Sequence, residues 1–313
     1  MPPSIAAAAP PIRIASGPYR AEIVPSAGGI VTSLNWLHPD GHRRSLLHRP
    51  ADAVAGTDRP NRFGLWAMLP FANRAFGGIV DDGTTRFTVA SEDAIGPMHG
   101  FGWQSAWAVE EARDDRVTLS HTRTSGRDPY RYRAEQSLVL GPGGLTLDLA
   151  VTNRSDRALP YGFGLHPWFD CAADTALTLR ASGALTLGES YRATGTTELP
   201  GFGPFAQGRR FRSPRATAWS FLGWDGRATV ATPSRDLAIT LGASDTLHCP
   251  VVWAPADADF LCVEPQSHAI GAPSEAIARA ASPLARLAPG ETLTGRIRIA
   301  AAPYSQSSSG GSA

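Results

Sequence analysis

Residues 134–153 read AEQSLVLGPGGLTLDLAVTN. Leu138 and Leu140 stand two apart before a Gly-Pro-Gly-Gly turn, and Leu145, Leu147, Leu149 and Val151 follow at the same spacing after it. A period of two places every second side chain on one face of an extended strand, so this segment buries its apolar residues only as a hairpin. The turn suits that shape, because glycine tolerates positive φ and proline sets φ. The same period marks RVTLSHTR (116–123), ALTLRASGALTL (176–187) and GETLTGRIRI (290–299), the last with Leu293, Ile297 and Ile299 as inward positions.

Helical periodicity is scarce. SEAIARAASPLARL (274–287) supports one short helix, and Pro283 interrupts it. With 32 glycines and 26 prolines in 313 residues, many short strands are cut by many turns, which is the composition of a large antiparallel sandwich or barrel. Hydrophobic residues at 42% support a sizeable core. No linker divides the chain and no internal repeat shows. The boundaries expected are a flexible N-terminus over 1–18, a single domain over 19–303 and a disordered, low-complexity tail over 304–313.

A net charge of +1 gives no electrostatic reason to expect nucleic acid or an anionic membrane as a partner. The 29 basic residues are all arginine, which excludes Schiff-base chemistry and a phosphate-loop lysine. Cys171, Cys249 and Cys262, without a CxxC pair, make neither a disulfide framework nor a zinc ribbon and fit a reducing compartment. The opening MPPSIAAAAPPIRI lacks the basic start of a signal peptide, and no apolar run reaches the roughly 18 residues of a membrane span. A cytoplasmic monomer or homodimer is expected.

Polar and titratable residues gather in five islands of glycine and aromatics. They are FANRAFGG (71–78), MHGFGW (98–103), YGFGLHPWFD (161–170), FLGWDGRA (221–228) and FLCVEPQSH (260–268). Aromatic faces pack on the C–H face of a sugar while Asn, Arg, His and carboxylates take its hydroxyls, so the pattern suits a carbohydrate site carried on loops at one end of a β scaffold. Each residue also has a plainer reading. His166 is either a packed structural histidine walled by Trp168 and Phe169 or a proton carrier. His99 divides the same way, with Gly100 leaving backbone room beside its ring. Glu264 ends the apolar run FLCV before Pro265, which points to the end of a buried strand, where a carboxylate is paired or has a raised pKa. It is a general base or half of a buried ion pair, with Arg74 a candidate partner. Asn73 shapes a turn or binds a hydroxyl, and Asp225 reads as a turn residue. No GxSxG elbow, HExxH or HxH pattern occurs, and His99, His166, His248 and Glu264 show no metal-ligand spacing.

In order and content these islands make the chain resemble the aldose 1-epimerase (galactose mutarotase) family. PFANRAFGG is similar to the family's Asn-Arg motif and MHGFGW to its His-Gly-Phe motif. GLHPWF is similar to its Gly-x-His-Pro-Tyr-Phe motif, with Trp168 in the tyrosine's place. FLCVEP is similar to its Cys-Val-Glu-Pro motif, and LAPGETL to its closing Pro-Gly-Glu. The resemblance spans the chain from about residue 20 to 300. It implies an all-β fold, a large antiparallel β-supersandwich with a cleft on one concave face. It also implies interconversion of the α and β anomers of a free aldose, a small-molecule sugar substrate, and neither metal nor organic cofactor.

By the same resemblance, Glu264 is the base at O1 and His166 the acid at O5. His99 assists near the ring oxygen, Arg74 and Asn73 bind the sugar, and Trp168 is a cleft wall. Ring opening takes a proton from the C1 hydroxyl while another reaches O5, and closure reverses both transfers. The expectation is an acid and a base on opposite sides of the sugar, with the ionised carboxylate and protonated imidazole favouring each other near neutral pH. One position departs from the pattern. The family carries a sugar-binding aspartate three residues before the phenylalanine of FLGWDGRA, where this chain has Ala218. Two other readings stay open: a non-catalytic sugar-binding module, and an epimerase for a phosphorylated or unusual sugar, with GRRFR (208–212) and Arg74 as phosphate candidates.

Overall fold

The alternating segments become strands. A computed structural model describes residues 10–51, 53, 62–91, 93–211 and 216–305, with 22 strands and one α-helix among them. The chain opens with β1 (Ile12–Ser16), β2 (Tyr19–Val24), β3 (Ile30–Leu37) and β4 (Arg43–Ser45). β5 (Leu65–Met68) follows, then the small hairpin of β6 (Ile79–Asp81) and β7 (Arg86–Thr88). Next come β8 (Ala108–Ala112), β9 (Arg116–Arg123), β10 (Tyr132–Gly141) and β11 (Gly144–Asn153). β12 (Leu159–Tyr161) and β13 (Gly164–Asp170) lead to β14 (Ala176–Leu187), β15 (Ala193–Glu198) and β16 (Arg209–Arg210). The last third holds β17 (Thr217–Thr232), β18 (Leu237–Ala243), β19 (Val251–Ala254) and β20 (Phe260–Glu264), then the helix α1 (Ala276–Ala281), β21 (Ala285–Leu287) and β22 (Thr292–Ala302). The helix stops two residues before Pro283, as that proline requires.

Eighteen of the strands form one hydrogen-bonded network, and every pairing between these strands is antiparallel. One ladder runs β8–β9–β10–β11–β22–β18–β17–β14–β15. The other runs β1–β2–β3–β5–β13–β20–β19–β17. β17 belongs to both: its start pairs with β19 from Thr217 to Ser220, and its end with β18 from Arg227 to Thr232. Between the halves, Gly223 and Gly226 take φ of 61° and 79°, which lets the strand change direction.

The two ladders face each other across the core. Leu138, Leu147, Leu149 and Ile297 come from one side; Ile23, Leu165, Leu261 and Val263 come from the other. Each such side chain, fully buried, stabilises by roughly 1.5–3 kcal/mol. The hairpin register pairs Leu138 with Leu147 and Leu140 with Leu145, all buried. Ile297 and Ile299 are buried as their spacing requires, while Leu293 is half-buried near the start of β22. The architecture is the all-β antiparallel supersandwich.

The N-terminal end differs from expectation. The segment read as a flexible N-terminus already contains β1, whose Ile14 is buried in the core and whose five residues pair with β2. Residues 1–9 lie outside the described residues. Of the expected tail, Tyr304 donates its N–H to Asp236 Oδ1 at 2.9 Å, and residues 306–313 lie outside the described set. Among the described residues no helix is long and apolar enough to cross a membrane.

Strands β5, β13, β20, β19 and β17 send alternate residues to the core and to a cavity on the opposite face. The MHGFGW island is held against the residue that follows β5: Leu69 O accepts the N–H groups of Phe101 at 2.7 Å and Gly102 at 3.2 Å. Gly100 makes this possible. Its φ is 64°, and a Cβ there would lie 2.1 Å from the same oxygen. Gly100→Ala is therefore expected to cost on the order of 3 kcal/mol, read as a lowered urea midpoint at unchanged slope. A loss within about 0.5 kcal/mol, the ordinary surface value, would show that this fastening is not needed.

Candidate active site

His166 stands on β13, and Glu264 is the last residue of the adjacent strand β20. Alternation turns Leu165 and Val263 to the core and sends His166 and Glu264 the other way. His166 Nε2 lies 3.3 Å from Glu264 Oε1, with side-chain exposures of 7% and 3%. Trp66, opposite His166 in the β5–β13 register, stacks on the imidazole with centroids 4.4 Å apart. Trp168 stacks on it as well, at 5.4 Å. Glu264 Oε2 accepts a hydrogen bond from Gln266 Nε2 at 3.0 Å.

Desolvation governs both groups. Burial raises the Glu264 carboxyl to about 8, and the Gln266 hydrogen bond recovers only part of that. Burial lowers the His166 imidazole well below its usual 6.5, and neighbouring His99 adds to it. Each group prefers its uncharged form, so the pair rests holding one proton, as a carboxylic acid beside a neutral imidazole. This corrects two expectations. Desolvation outweighs the attraction that was to keep the pair ionic at neutral pH. The two groups also stand side by side on neighbouring strands rather than on opposite sides of a sugar.

His99 and Asn73 form a reciprocal pair between two loops. His99 N–H donates to Asn73 O at 2.8 Å, and Asn73 N–H donates to His99 Nδ1 at 3.1 Å. The accepting Nδ1 places the ring proton of neutral His99 on Nε2. Burial, with the charge of Arg74 second, pushes His99 down to about 3, so it stays a neutral donor. Both residues are left-handed, with φ of 62° and 57°, a conformation that persists only where surrounding contacts enforce it. Asn73 also shapes its turn, its Oδ1 accepting from Arg74 N–H at 3.1 Å. Arg74 is not the partner of Glu264. Its Nη1 donates to Asp93 Oδ2 at 2.8 Å and Gly96 O at 3.0 Å.

These groups line a cavity of about 420 Å³. Asn73, Arg74, His99, His166, Trp168 and Glu264 all reach it, so every site residue read from the sequence is brought together. Ala218 reaches it too, from the start of β17. The principal groups sit on strand faces rather than on loops. The FLGWDGRA island stays apart: Asp225 Oδ1 caps a bend by accepting Arg227 N–H at 3.0 Å, and Trp224 Nε1 donates to Arg227 O. His248 also stays outside the cavity, bonded to Ser282. Trp66, Tyr191, Val251 and Trp253 line the cavity unannounced, because tryptophans within LWAM and VVWA look like any strand core. His268 was missed as well. Fully buried, it accepts Ala72 N–H at Nε2 and donates from Nδ1 to Ala269 O, both at 3.0 Å, and so ties the FANR loop to the segment after Glu264.

Donor atoms of His166, Cys262 and Glu264 lie within 4.8 Å of one another. Burial raises the Cys262 thiol well above its usual value and Glu264 to about 8, so in the absence of a cation both rest protonated at neutral pH.

Comparison with known proteins bears on the family and the fold. The aldose 1-epimerase family matches residues 12–300. Uncharacterized protein YphB of Escherichia coli K12 is 31% identical over 252 residues, covering 74% of this chain and 81% of its own. A galactose mutarotase-like protein from Clostridium acetobutylicum superposes with a TM-score of 0.80 at 21% identity, covering 93% of this chain and 95% of that one. An aldose epimerase homologue from C. elegans gives 0.77 at 15% identity, covering 95% and 99%. With the family matched from β1 almost to the end of β22, and with the fold shared, the chain belongs to the aldose 1-epimerase family.

Proposed function

We propose that this protein opens and recloses the ring of a free aldose, exchanging its α and β anomers, with Glu264 and His166 as the proton-transferring pair. The observation that carries this is the 3.3 Å contact between the two groups, nearly dry and facing a cavity of about 420 Å³. O1 and O5 of a pyranose are both bonded to C1, so one carboxyl and one imidazole standing side by side address both oxygens.

The single proton of the pair accounts for both directions. Transfer of the shared proton from Glu264 to His166 across their contact gives the ionic arrangement, in which Glu264 takes the proton of the C1 hydroxyl while His166 gives its proton to O5, and the C1–O5 bond breaks to leave an aldehyde. The pair is then a carboxylic acid beside a neutral imidazole, which is its resting form. Closure runs back: His166 accepts the proton of the C5 hydroxyl, and Glu264 returns a proton to the carbonyl oxygen. If the aldehyde has turned about C1–C2 in between, the other anomer forms. The cycle consumes no proton. The Nε2–H of His99 stabilises charge developing on an oxygen, Asn73 and Arg74 bind hydroxyls, and Trp168 walls the cleft.

A binding module does not account for a buried acid–base pair, which costs folding energy and adds nothing to recognition. A phosphate-sugar epimerase is not favoured either. Arg74 is engaged by Asp93, Arg209 and Arg210 are exposed on β16, and position 212 of GRRFR lies outside the described residues.

Exchange NMR on a panel of aldoses tests the proposal. Glu264→Gln and His166→Ala are each expected to lower kcat/KM by about 10²–10⁴-fold; wild type no faster than the spontaneous reaction on every sugar would refute it. The pH profile follows from the pair. Activity should fall above about pH 8, where Glu264 loses the shared proton, and stay level below 6.5, because the buried imidazole resists a second. A limb near 6.5 instead would assign titration to an ordinary histidine. Stability carries the same signature. A folded pKa of about 8 against 4.5 means the contribution of Glu264 is complete below 4.5 and lost as pH rises through 8. The melting temperature of Glu264→Gln should therefore gain on wild type steadily across that interval, and a constant difference would contradict it.

A further inference from the structure

We infer that the preferred substrate is an uncharged deoxyaldose, a sugar lacking one hydroxyl, selected by an apolar wall on β17 and β19. This rests on the anomer-exchange reading above and names the substrate class for that same cavity.

Strand register lays out the wall. One row across the sheet is Ala218, Trp253, Cys262 and Trp168; the next is Ser220, Val251 and Glu264. Moving from Glu264 toward β17, the side chains that reach the cavity are Val251, Trp253 and Ala218, with Ile270 beside them. Ser220, which shares its row with Glu264, is fully buried and does not line the cavity. The groups that bond hydroxyls stand at the other side. His99 lies 5.2 Å from Trp66 and 5.4 Å from His166, ring to ring, and Asn73 is bonded to His99. Ser190 and Tyr191, which follow β14, also line the cavity and are exposed.

A sugar held with C1 against the Glu264–His166 pair therefore meets donors and acceptors on its β5 side and, toward β17, the side chains of Val251 and Ala218 and the ring of Trp253. A hydroxyl set against Val251 or Ala218 gives up water and gains no partner, whereas a C–H or methyl group there loses nothing. Apolar pockets discriminate modestly against an added hydroxyl, by roughly 10- to 100-fold in kcat/KM. Charge is disfavoured as well. Among the described residues lining the cavity Arg74 is the one guanidinium, and its Nη1 is already bonded to Asp93 and Gly96.

The test measures anomer exchange of glucose and galactose beside their 2-, 3-, 4- and 6-deoxy forms by exchange NMR. One deoxy form is expected to exceed its parent by roughly 10- to 100-fold in kcat/KM. Ala218→Asp, which places a hydroxyl acceptor on the wall, should shrink that ratio at least about tenfold, and the smaller change Ala218→Ser should shrink it in the same direction. Parents that match or exceed every deoxy form, or a ratio untouched in a folded Ala218 variant, overturn the deoxyaldose inference while leaving anomer exchange intact. Exchange with no sugar at all overturns both.

Discussion

A carboxyl and an imidazole held 3.3 Å apart with almost no solvent is a demanding arrangement. Either group charged on its own in that setting would cost several kcal/mol. Sharing one proton lowers that cost, but only while the two side chains stay in contact. Contact requires β13 and β20 to be neighbours in fixed register. A slip of one residue would turn Leu165 and Val263 into the cavity and send His166 and Glu264 into the core. The apolar face opposite the site thus does more than stabilise: Leu165, Leu261 and Val263 hold the register that holds the pair.

The surroundings of the pair divide into rigid and strained parts. Trp66 and Trp168 stack on the imidazole from strand positions, so its ring plane is set by packing. His99 and Asn73 come from connecting segments and hold left-handed backbone. Their reciprocal hydrogen bonds, the Leu69 carbonyl behind them and the buried His268 are what keep that conformation. Gln266 completes the enclosure, donating to the carboxyl oxygen that His166 does not touch.

Much of this was legible beforehand, and for identifiable reasons. Period-two spacing over 138–151 predicted a hairpin that formed in the register its leucines demand, because burying one face leaves no other register. Four of five polar islands meet at the cavity. The fifth does not: Asp225 and Trp224 close a bend in β17, and composition cannot distinguish a turn from a ligand. The N-terminal boundary was misplaced, since Pro10 and Pro11 hid the short alternation of Ile12 and Ile14 that pairs with β2. Glu264 was legible as a buried carboxylate, but its partner was not. An arginine and a histidine were both available, and the choice depends on which strand lies beside β20.

The sequence by itself determined the strands, their buried faces and the residue types able to move protons, since these follow from local spacing and side-chain chemistry. It also carried the order of motifs by which the family is recognised. Tertiary structure alone decided that Glu264 meets His166 while Arg74 goes to Asp93, that desolvation leaves the pair neutral, and that Ala218, Val251 and Trp253 form one apolar wall. Those outcomes join residues up to about a hundred positions apart, and water is excluded only once the strands are assembled. No local pattern encodes a dielectric environment that the folded chain itself creates.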